Sequence, residues 1–205
     1  MVYSPNTSNL PSGYTEVEYI ESTGTQYIDT GFTLNQDTRM LLDFQYTAGY
    51  RLAGVETRSN NTAGARLSDA FRIGKNTNGN WYTSYGNDYE HSVTHDNNRH
   101  LFDLNKNVLS IDGNTIYALE SATFTAFDSV YIFNINNNYF SSTSSAAVGK
   151  LYMAKLYDDG DLIRDFVPCI RNSDGKGGLY DIIGGQMHLV QMIILKSQKN
   201  NLHMI

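Results

Sequence analysis

The sequence predicts an all-β protein in which antiparallel strands form a two-sheet β-sandwich. Its 205 residues include 15 Tyr and 9 Phe, and these residues, like the frequent Thr and Ile, suit the half-buried surface of a strand. Two distant segments, residues 10–32 and 149–170, read as strand, polar turn and strand. About ten to fourteen short strands are expected, and two packed sheets are the usual way to bury so many apolar faces.

The first of these segments nearly repeats itself. EYIESTG at residues 18–24 is followed by QYIDTG at residues 26–31, with a polar Ser-Thr-Gly-Thr turn where they join. In the second segment, Asp-Asp-Gly-Asp at residues 158–161 separates two apolar runs. Each pattern predicts an antiparallel hairpin.

The clearest single strand is predicted at residues 38–46. Apolar and polar residues alternate there, so that Met40, Leu42, Phe44 and Tyr46 share one face. This alternation is typical of a strand that covers a core on one side.

The middle of the chain is less regular. Residues 49–98 read mainly as loops, because Asn- and Gly-rich turns interrupt short strand-like pieces. Residues 100–119 predict a three-stranded meander with turns at residues 105–107 and 112–114. Residues 127–135 carry apolar side chains on both faces, which predicts a central strand covered on both sides.

One domain is expected for a chain of this length. Residues 1–12 are rich in Ser, Asn and Pro and read as a leader or linker. Residues 13–185 form the predicted sandwich, and residues 186–205 form an atypical C-terminal tail.

Charge and composition exclude several partners. The net charge is −6, and no run of Lys or Arg is present, so a nucleic-acid partner is not expected. No apolar run approaches the length that spans a bilayer, so membrane insertion is not expected, and the first residues resemble no signal peptide. The one cysteine, Cys169, ends an apolar strand and is predicted to be a buried, inert thiol.

Two groups of residues resemble a known family. One is RHLFDLNKNVLSIDGNTI at residues 99–116, and the other is the pair of framing segments at residues 10–32 and 150–170, the latter followed by GLYDIIGG. They resemble the concanavalin A-like lectin and glucanase superfamily, in particular the laminin-G-like domains of phage and gut-bacterial surface proteins. The resemblance covers residues 10–185 and implies a jelly-roll β-sandwich. The superfamily includes lectins, glycosidases and protein-binding modules, so the fold does not choose among them.

The C-terminal end departs from that family. After GLYDIIGGQ an aromatic strand is expected, whereas this chain continues MHLVQMIILKSQKNNLHMI. We therefore expect the last strand to be missing, which would leave an exposed sheet edge able to pair with a partner or a second copy.

Catalytic carboxylates are not predicted. The string Glu16-Val-Glu18-Tyr-Ile-Glu21 resembles the Glu-x-Asp-x-x-Glu signature of the superfamily's laminarinase-type hydrolases, but it opens the domain and has Glu in place of the central Asp. We interpret it as the solvated face of an edge strand. The chain is therefore predicted not to be an enzyme.

Two segments carry side chains that could bind a metal. His91 and His95 are about 13 Å apart if they lie on one strand, so they are interpreted as exposed loop histidines and no metal is predicted there. Calcium is the alternative in RNSDGKGG, where Asn172 and Asp174 could supply oxygens. The favoured hypothesis is that these side chains satisfy their own turn and that the protein has no cofactor.

A sugar site needs an aromatic platform beside amide and acidic groups. NWYTSYGND at residues 80–88 fits that description best, and the alternative is that its tryptophan belongs to the core. The Asn-rich residues 134–139 are a further candidate. The predicted ligand-binding residues are Trp81, Tyr85, Asn87, Asp88, Tyr50 and Arg51.

These features together predict a non-catalytic module that binds glycans or polysaccharides of a cell surface. The expected location is extracellular, on a bacterial surface protein or as part of a phage virion. The rival hypothesis is a structural domain that contacts other virion proteins, and an endo-glycosidase is the third. A homo-oligomer fits the first two, because weak sugar sites gain avidity when they are repeated.

Overall fold

Two sheets, of ten and eight strands, pack face to face in a computed structural model that describes residues 10–58, 67–137 and 146–192. The 18 strands are numbered in chain order. They are β1 (Tyr14–Glu16), β2 (Ile20–Thr23), β3 (Gln26–Asn35), β4 (Thr38–Ala48), β5 (Arg51–Arg58), β6 (Leu67–Lys75), β7 (Trp81–Tyr85), β8 (Asp88–Glu90), β9 (Arg99–Asn105), β10 (Val108–Ile111), β11 (Asn114–Ala118), β12 (Thr125–Ile132), β13 (Asn136–Asn137), β14 (Val148–Asp158), β15 (Asp161–Arg171), β16 (Lys176–Asp181), β17 (Gln186–Leu189) and β18 (Gln191–Met192).

The sheets have simple neighbour orders. The ten-stranded sheet runs β11-β10-β9-β4-β14-β15-β16-β17, with β1 beside β15 and β2 beside β14. The eight-stranded sheet runs β18-β3-β12-β5-β6-β7-β8, with β13 beside β5. Strand pairs are antiparallel except β13 with β5. The predicted all-β sandwich is therefore confirmed, and no helix in the described ranges is long and apolar enough to cross a membrane.

Side chains from both sheets meet in one apolar core. Phe44, Phe102 and Leu151 enter it from the ten-stranded sheet, and Ile28 and Phe71 enter it from the eight-stranded sheet. All five are fully buried. Because burial of apolar area drives folding, this shared layer is what holds the two sheets together.

Several predicted elements are confirmed. β4 covers the alternating residues 38–46, and all four of its predicted core side chains are fully buried. The meander appears as β9, β10 and β11, and the late hairpin as β14 and β15. β12 is central in its sheet, between β3 and β5, as predicted, but Ser129 and Tyr131 are only partly buried, so the expected cover on both faces is wrong. Cys169 is buried, and burial raises the pKa of its thiol, which disfavours the reactive thiolate.

The predicted loop region at residues 49–98 is wrong. It contains β5, β6, β7 and β8, which form consecutive antiparallel neighbours at one side of the eight-stranded sheet. Register shifts in the β5–β6 pair and the short turns at residues 76–80 and 86–87 explain why the sequence shows no clear alternation there.

The early segment does not form the predicted hairpin. β2 pairs with β14 in the ten-stranded sheet, whereas β3 pairs with β12 and β18 in the other sheet. The chain turns the corner at Gly24, whose φ of 96° favours glycine. The amide oxygen of Gln26 accepts the N–H groups of Thr23 and Thr25 at 2.9 and 3.2 Å. The near-repeat therefore marks two strands that enter different sheets.

Residues 186–192 form two more strands, so the expectation that the last strand is missing after residue 185 is wrong. β17 pairs with β16 along the edge of the ten-stranded sheet. The chain then crosses to the other sheet, where β18 pairs with β3. The domain boundary expected at residue 185 falls inside the β16–β17 hairpin. Residues 1–9 of the predicted leader and residues 193–205 of the predicted tail lie outside the described residues.

Candidate functional site

The predicted aromatic platform is wrong, because its two rings lie in the core. Successive residues of β7 point to opposite faces, and Trp81 and Tyr85 point inward, with 2 % and 4 % of their surface exposed. The ring of Trp81 packs against Tyr46 and Phe102 at centroid distances of 5.5 and 4.8 Å. The hydroxyl of Tyr85 donates to the carbonyl oxygen of Gln36 at 2.8 Å. The alternative hypothesis, a core tryptophan, is the one that the structure supports.

The predicted polar partners at the β7–β8 turn have different roles. Asn87 is exposed. Both carboxylate oxygens of Asp88 accept backbone hydrogen bonds. One accepts the N–H of Tyr89 at 2.8 Å, and the other accepts the N–H of Glu120 at 3.1 Å. The carboxylate therefore joins the β7–β8 turn to the segment after β11.

Tyr50 and Arg51 lie at the other end of β7. The carbonyl oxygen of Tyr50 accepts the N–H of Lys75 at 2.8 Å, and Lys75 is paired with Trp81, the first residue of β7. Tyr50 is 43 % exposed, and Arg51 is partly buried. The structure therefore separates these two residues from Asn87 and Asp88, so the six predicted residues form no single site.

The outward rings of the same segment do line up. Tyr82 alternates with the core residues of β7, and Tyr89 lies opposite Ser84 on the same outer face of the eight-stranded sheet. The ring centroids of Tyr82 and Tyr89 are 6.3 Å apart, and those of Tyr89 and His91 are 5.7 Å apart. Tyr89 is 53 % exposed, and His91 is exposed as well. We call these three rings, Tyr82, Tyr89 and His91, the aromatic strip.

A buried ion pair lies beside Tyr82, the first residue of the strip. Arg72 is 8 % exposed and is paired with Glu56, which is 1 % exposed. The guanidinium carbon of Arg72 lies 4.4 Å from the ring centroid of Tyr82, and its Nε donates to the hydroxyl of Ser84 at 3.1 Å. Ser84 in turn donates to the hydroxyl of Tyr82 at 2.9 Å. These contacts fix the first ring of the strip before any ligand arrives.

The sequence contained a signal for this strip. In Trp-Tyr-Thr-Ser-Tyr at residues 81–85, Trp81, Thr83 and Tyr85 share one face of the strand, and Tyr82 and Ser84 share the other. Both phases carry an aromatic ring, so alternation alone does not tell which faces the core. The cation over the ring of Tyr82 is Arg72 of β6, and the pairing of β6 with β7 cannot be read locally.

Of the two predicted loop histidines, only His91 is exposed. The ring of His95 packs edge-on against Tyr46 and Trp81, at centroid distances of 5.5 Å in both cases. Its Nδ1 lies 3.2 Å from the carbonyl oxygen of Gly79. The interpretation of His95 as an exposed loop residue is therefore wrong.

His100 is held between two carboxylates. Its Nδ1 lies 2.6 Å from Asp112 and its Nε2 lies 2.7 Å from Asp96. Asp112 also accepts the N–H of Leu101 at 2.8 Å. Burial lowers the pKa of His100, but the hydrogen bonds to both carboxylates raise it by more, so that the pKa lies above its ordinary value. The start of β9 and the predicted turn at residues 112–114 are therefore joined through these side chains.

We expect this clamp to make stability depend on pH. Because the folded-state pKa of His100 lies above the unfolded value of about 6.5, protonated His100 stabilises the fold fully below that pH, and the contribution is lost as the pH rises through the folded value. The melting temperatures of the wild type and His100→Gln should therefore converge as the pH rises from about 6 through the folded-state pKa of His100. A difference that stays constant over this range would contradict the role given to the clamp.

The oxygens of the alternative calcium loop have protein partners. Asp174 forms two hydrogen bonds with Arg171, at 3.0 and 2.7 Å, and these lower the pKa of Asp174 to about 2. The side-chain oxygen of Asn172 accepts the hydroxyl of Thr15 at 2.8 Å. A cation would have to displace the guanidinium, and no group of three metal-binding side chains occurs among the described residues.

The acidic string faces solvent. Glu16, Glu18 and Glu21 are all exposed. Glu16 ends β1, which pairs with β15, Glu21 lies on β2, which pairs with β14, and Glu18 lies in the bend between these strands. The Asn-rich candidate at residues 134–139 is only partly described: Asn134 is 7 % exposed, and residues 138–139 lie outside the described residues.

Neither a protein-family model nor a curated protein matches this sequence.

Proposed function

We propose that this β-sandwich is a non-catalytic module that binds glycans through the aromatic strip, displayed on a phage particle or a bacterial surface protein. The observation that carries the proposal is the row of adjacent rings on the outer face of the eight-stranded sheet, with Tyr89 53 % exposed at its centre. The setting rests on the resemblance of the framing segments to phage and gut-bacterial domains.

The strip has the physical features that a sugar platform needs. One face of a pyranose ring presents C–H groups, which pack against aromatic rings, while its hydroxyls need polar partners at the rim. Tyr82 and Tyr89 offer ring surface and phenolic hydroxyls, and His91 adds ring nitrogens. Three rings in sequence suit a stretch of linear oligosaccharide better than one sugar.

The strip is partly preorganised for a ligand, which favours specific binding over non-specific adsorption. The ion pair of Arg72 and Glu56 fixes Tyr82, and the side-chain amide of Asn80 donates to the carbonyl oxygen of His91 at 3.0 Å. Because the ring of Tyr82 at one end of the strip and the backbone of His91 at the other are restrained, less conformational entropy is lost when a ligand binds.

The rival hypothesis was a structural virion domain that assembles through an open edge. β17 pairs with β16 where the open edge was expected, so assembly of this kind would have to use the edge of β17 itself. The third hypothesis, an endo-glycosidase, needs two carboxylates close together, and the exposed string that suggested it lies on the ten-stranded sheet, away from the strip.

The test is glycan-array binding by the purified chain, followed by titration of the best ligand. Tyr89→Ala should weaken binding at least about tenfold, which corresponds to about 1.4 kcal/mol, and should leave the melting temperature unchanged because the side chain is half exposed. Tyr50→Ala is the matched control, since Tyr50 is an exposed tyrosine outside the strip.

Two outcomes would contradict the proposal. One is an equal loss of affinity in Tyr89→Ala and Tyr50→Ala. The other is a blank array for a folded chain that runs as a stable oligomer, which would favour the structural hypothesis.

A further inference from the structure

Three tight turns from distant parts of the chain meet at one end of the ten-stranded sheet. They join β3 to β4, β9 to β10, and β14 to β15. Backbone hydrogen bonds connect them: the N–H of Lys106 donates to Thr38 at 2.9 Å, and the N–H of Asp159 donates to Asp37 at 3.3 Å. A cavity of about 260 Å³ lies among them. We call it the three-turn pocket.

The walls of this pocket are fixed. Lys106 and Asp159 have φ angles of 53° and 45°, which tight turns impose. The ammonium of Lys106 donates to Asp37 at 2.7 Å, and this hydrogen bond lowers the pKa of Asp37. Asp37 therefore stays an ionised acceptor at neutral pH.

A short sequence repeat in β4 and β9 forms two Arg–Asp pairs, one of which lies at the pocket. β4 reads RMLLDFQ from residue 39 and β9 reads RHLFDLN from residue 99. Because the two strands are antiparallel neighbours, the arginine of each meets the aspartate of the other: Arg39 pairs with Asp103 and Arg99 pairs with Asp43, at 2.7 Å in both cases.

Each of these arginines also lies over a tyrosine of β14. The guanidinium carbon of Arg39 is 5.3 Å from the ring centroid of Tyr157, and that of Arg99 is 3.6 Å from the ring centroid of Tyr152. Tyr157 lines the three-turn pocket, and Tyr152 is not among its lining residues. The repeat thus supplies a matched pair of tyrosines, one in the pocket and one outside it.

Charge and size limit what the pocket can hold. Both cations of the pocket already have carboxylate partners: Arg39 pairs with Asp103, and Lys106 pairs with Asp37. An anionic ligand would therefore gain little electrostatic attraction. The lining offers carboxylate and amide groups from Asp37, Asp159 and Asn105 next to the ring of Tyr157. A volume of 260 Å³ is below the roughly 300 Å³ at which pockets for drug-sized ligands begin. The fitting ligand is small, neutral and rich in hydroxyl groups.

We propose that the three-turn pocket is a second binding site, which holds one neutral sugar residue on the sheet opposite the aromatic strip. This makes the chain bivalent, with one site on each sheet. The choice of a sugar rests on the proposed function, whereas the position and the neutral charge of the ligand rest on the pocket alone. Two sites on one rigid body raise the effective affinity for a densely glycosylated surface.

The test is a titration followed by amide resonances of the full chain. The probes are glucose, galactose and mannose, the methyl glycoside of each, and glucuronic acid as the charged counterpart. Millimolar neutral sugar should shift the amide signals of Asn105, Lys106 and Gly160. Shifts by the methyl glycosides identify the end of a glycan as the source, and shifts by the free sugars alone identify a free monosaccharide.

Variants separate the pocket from the rest of the molecule. Tyr157→Ala and the more exposed Asn105→Ala should each abolish these shifts, and Tyr152→Ala should retain them. If a folded Asn105→Ala and a folded Tyr157→Ala both keep the shifts, or if glucuronic acid binds more tightly than the neutral sugars, the proposal is overturned. No shift at these amides with any neutral probe overturns it too. Signals of Tyr82 and Tyr89 report the strip separately, so failure of one site is not mistaken for failure of the other.

Discussion

Replacing Arg72 by methionine should lower the free energy of unfolding by about 3–5 kcal/mol, the usual cost of removing one partner from a buried ion pair. Glu56 is 1 % exposed, so its carboxylate would keep its buried position without the guanidinium that faces it. Tyr82 would also lose the cation over its ring and, through Ser84, part of its support.

The ten-stranded sheet provides the control for this prediction. Arg99 pairs with Asp43 through two hydrogen bonds of 2.7 Å, but about half of its side chain is exposed. Exposed pairs of this kind contribute at most about 1 kcal/mol, so Arg99→Met should change stability little. Urea denaturation of both variants measures the difference, and similar losses would show that burial of the Arg72 pair is not what makes it important.

A double variant checks the physical reason. Glu56→Gln combined with Arg72→Met removes both charges, so no carboxylate charge stays buried after the guanidinium is lost. The double variant should therefore be more stable than Arg72→Met alone. If it is less stable, the loss in the single variant comes from packing rather than from the buried carboxylate charge.

The parts of the fold that could be predicted are those that depend on local alternation. β4 and the β9–β11 meander each bury one face, so a period of two residues marks them in the sequence. The early segment has an equally clear pattern, yet its strands enter different sheets. The pattern marks where a strand forms, whereas the choice of partner depends on β12 and β14, more than 90 residues further along the chain.

The candidate site shows the same limit at the scale of one residue. Residues 80–88 were identified as the aromatic segment, and the strip does begin there, but the rings that face outward are Tyr82 and Tyr89. A shift of one residue moves every side chain to the other face of a sheet. The three-turn pocket was beyond prediction, because its turns lie far apart in the sequence and meet only through the pairing of β4 with β9 and β14.

The phase of β7 can be tested directly at Trp81. Trp81→Ala should lower the free energy of unfolding by about 3–5 kcal/mol, as large-to-small changes of buried aromatic residues do. The indole is 2 % exposed and packs against Phe102 and Tyr46, so its removal leaves a cavity between the sheets.

Comparison with Tyr82→Ala, one residue later, shows which face of β7 points to the core. Its ring lies on the outer face and is only partly buried, so this variant should lose clearly less stability than Trp81→Ala while losing glycan affinity. Thermal and urea denaturation measure the stability of each variant, and ligand titration measures the glycan affinity of each. If Trp81→Ala stayed as stable as the wild type and lost its ligand instead, β7 would face the other way, and the strip would not be the binding surface.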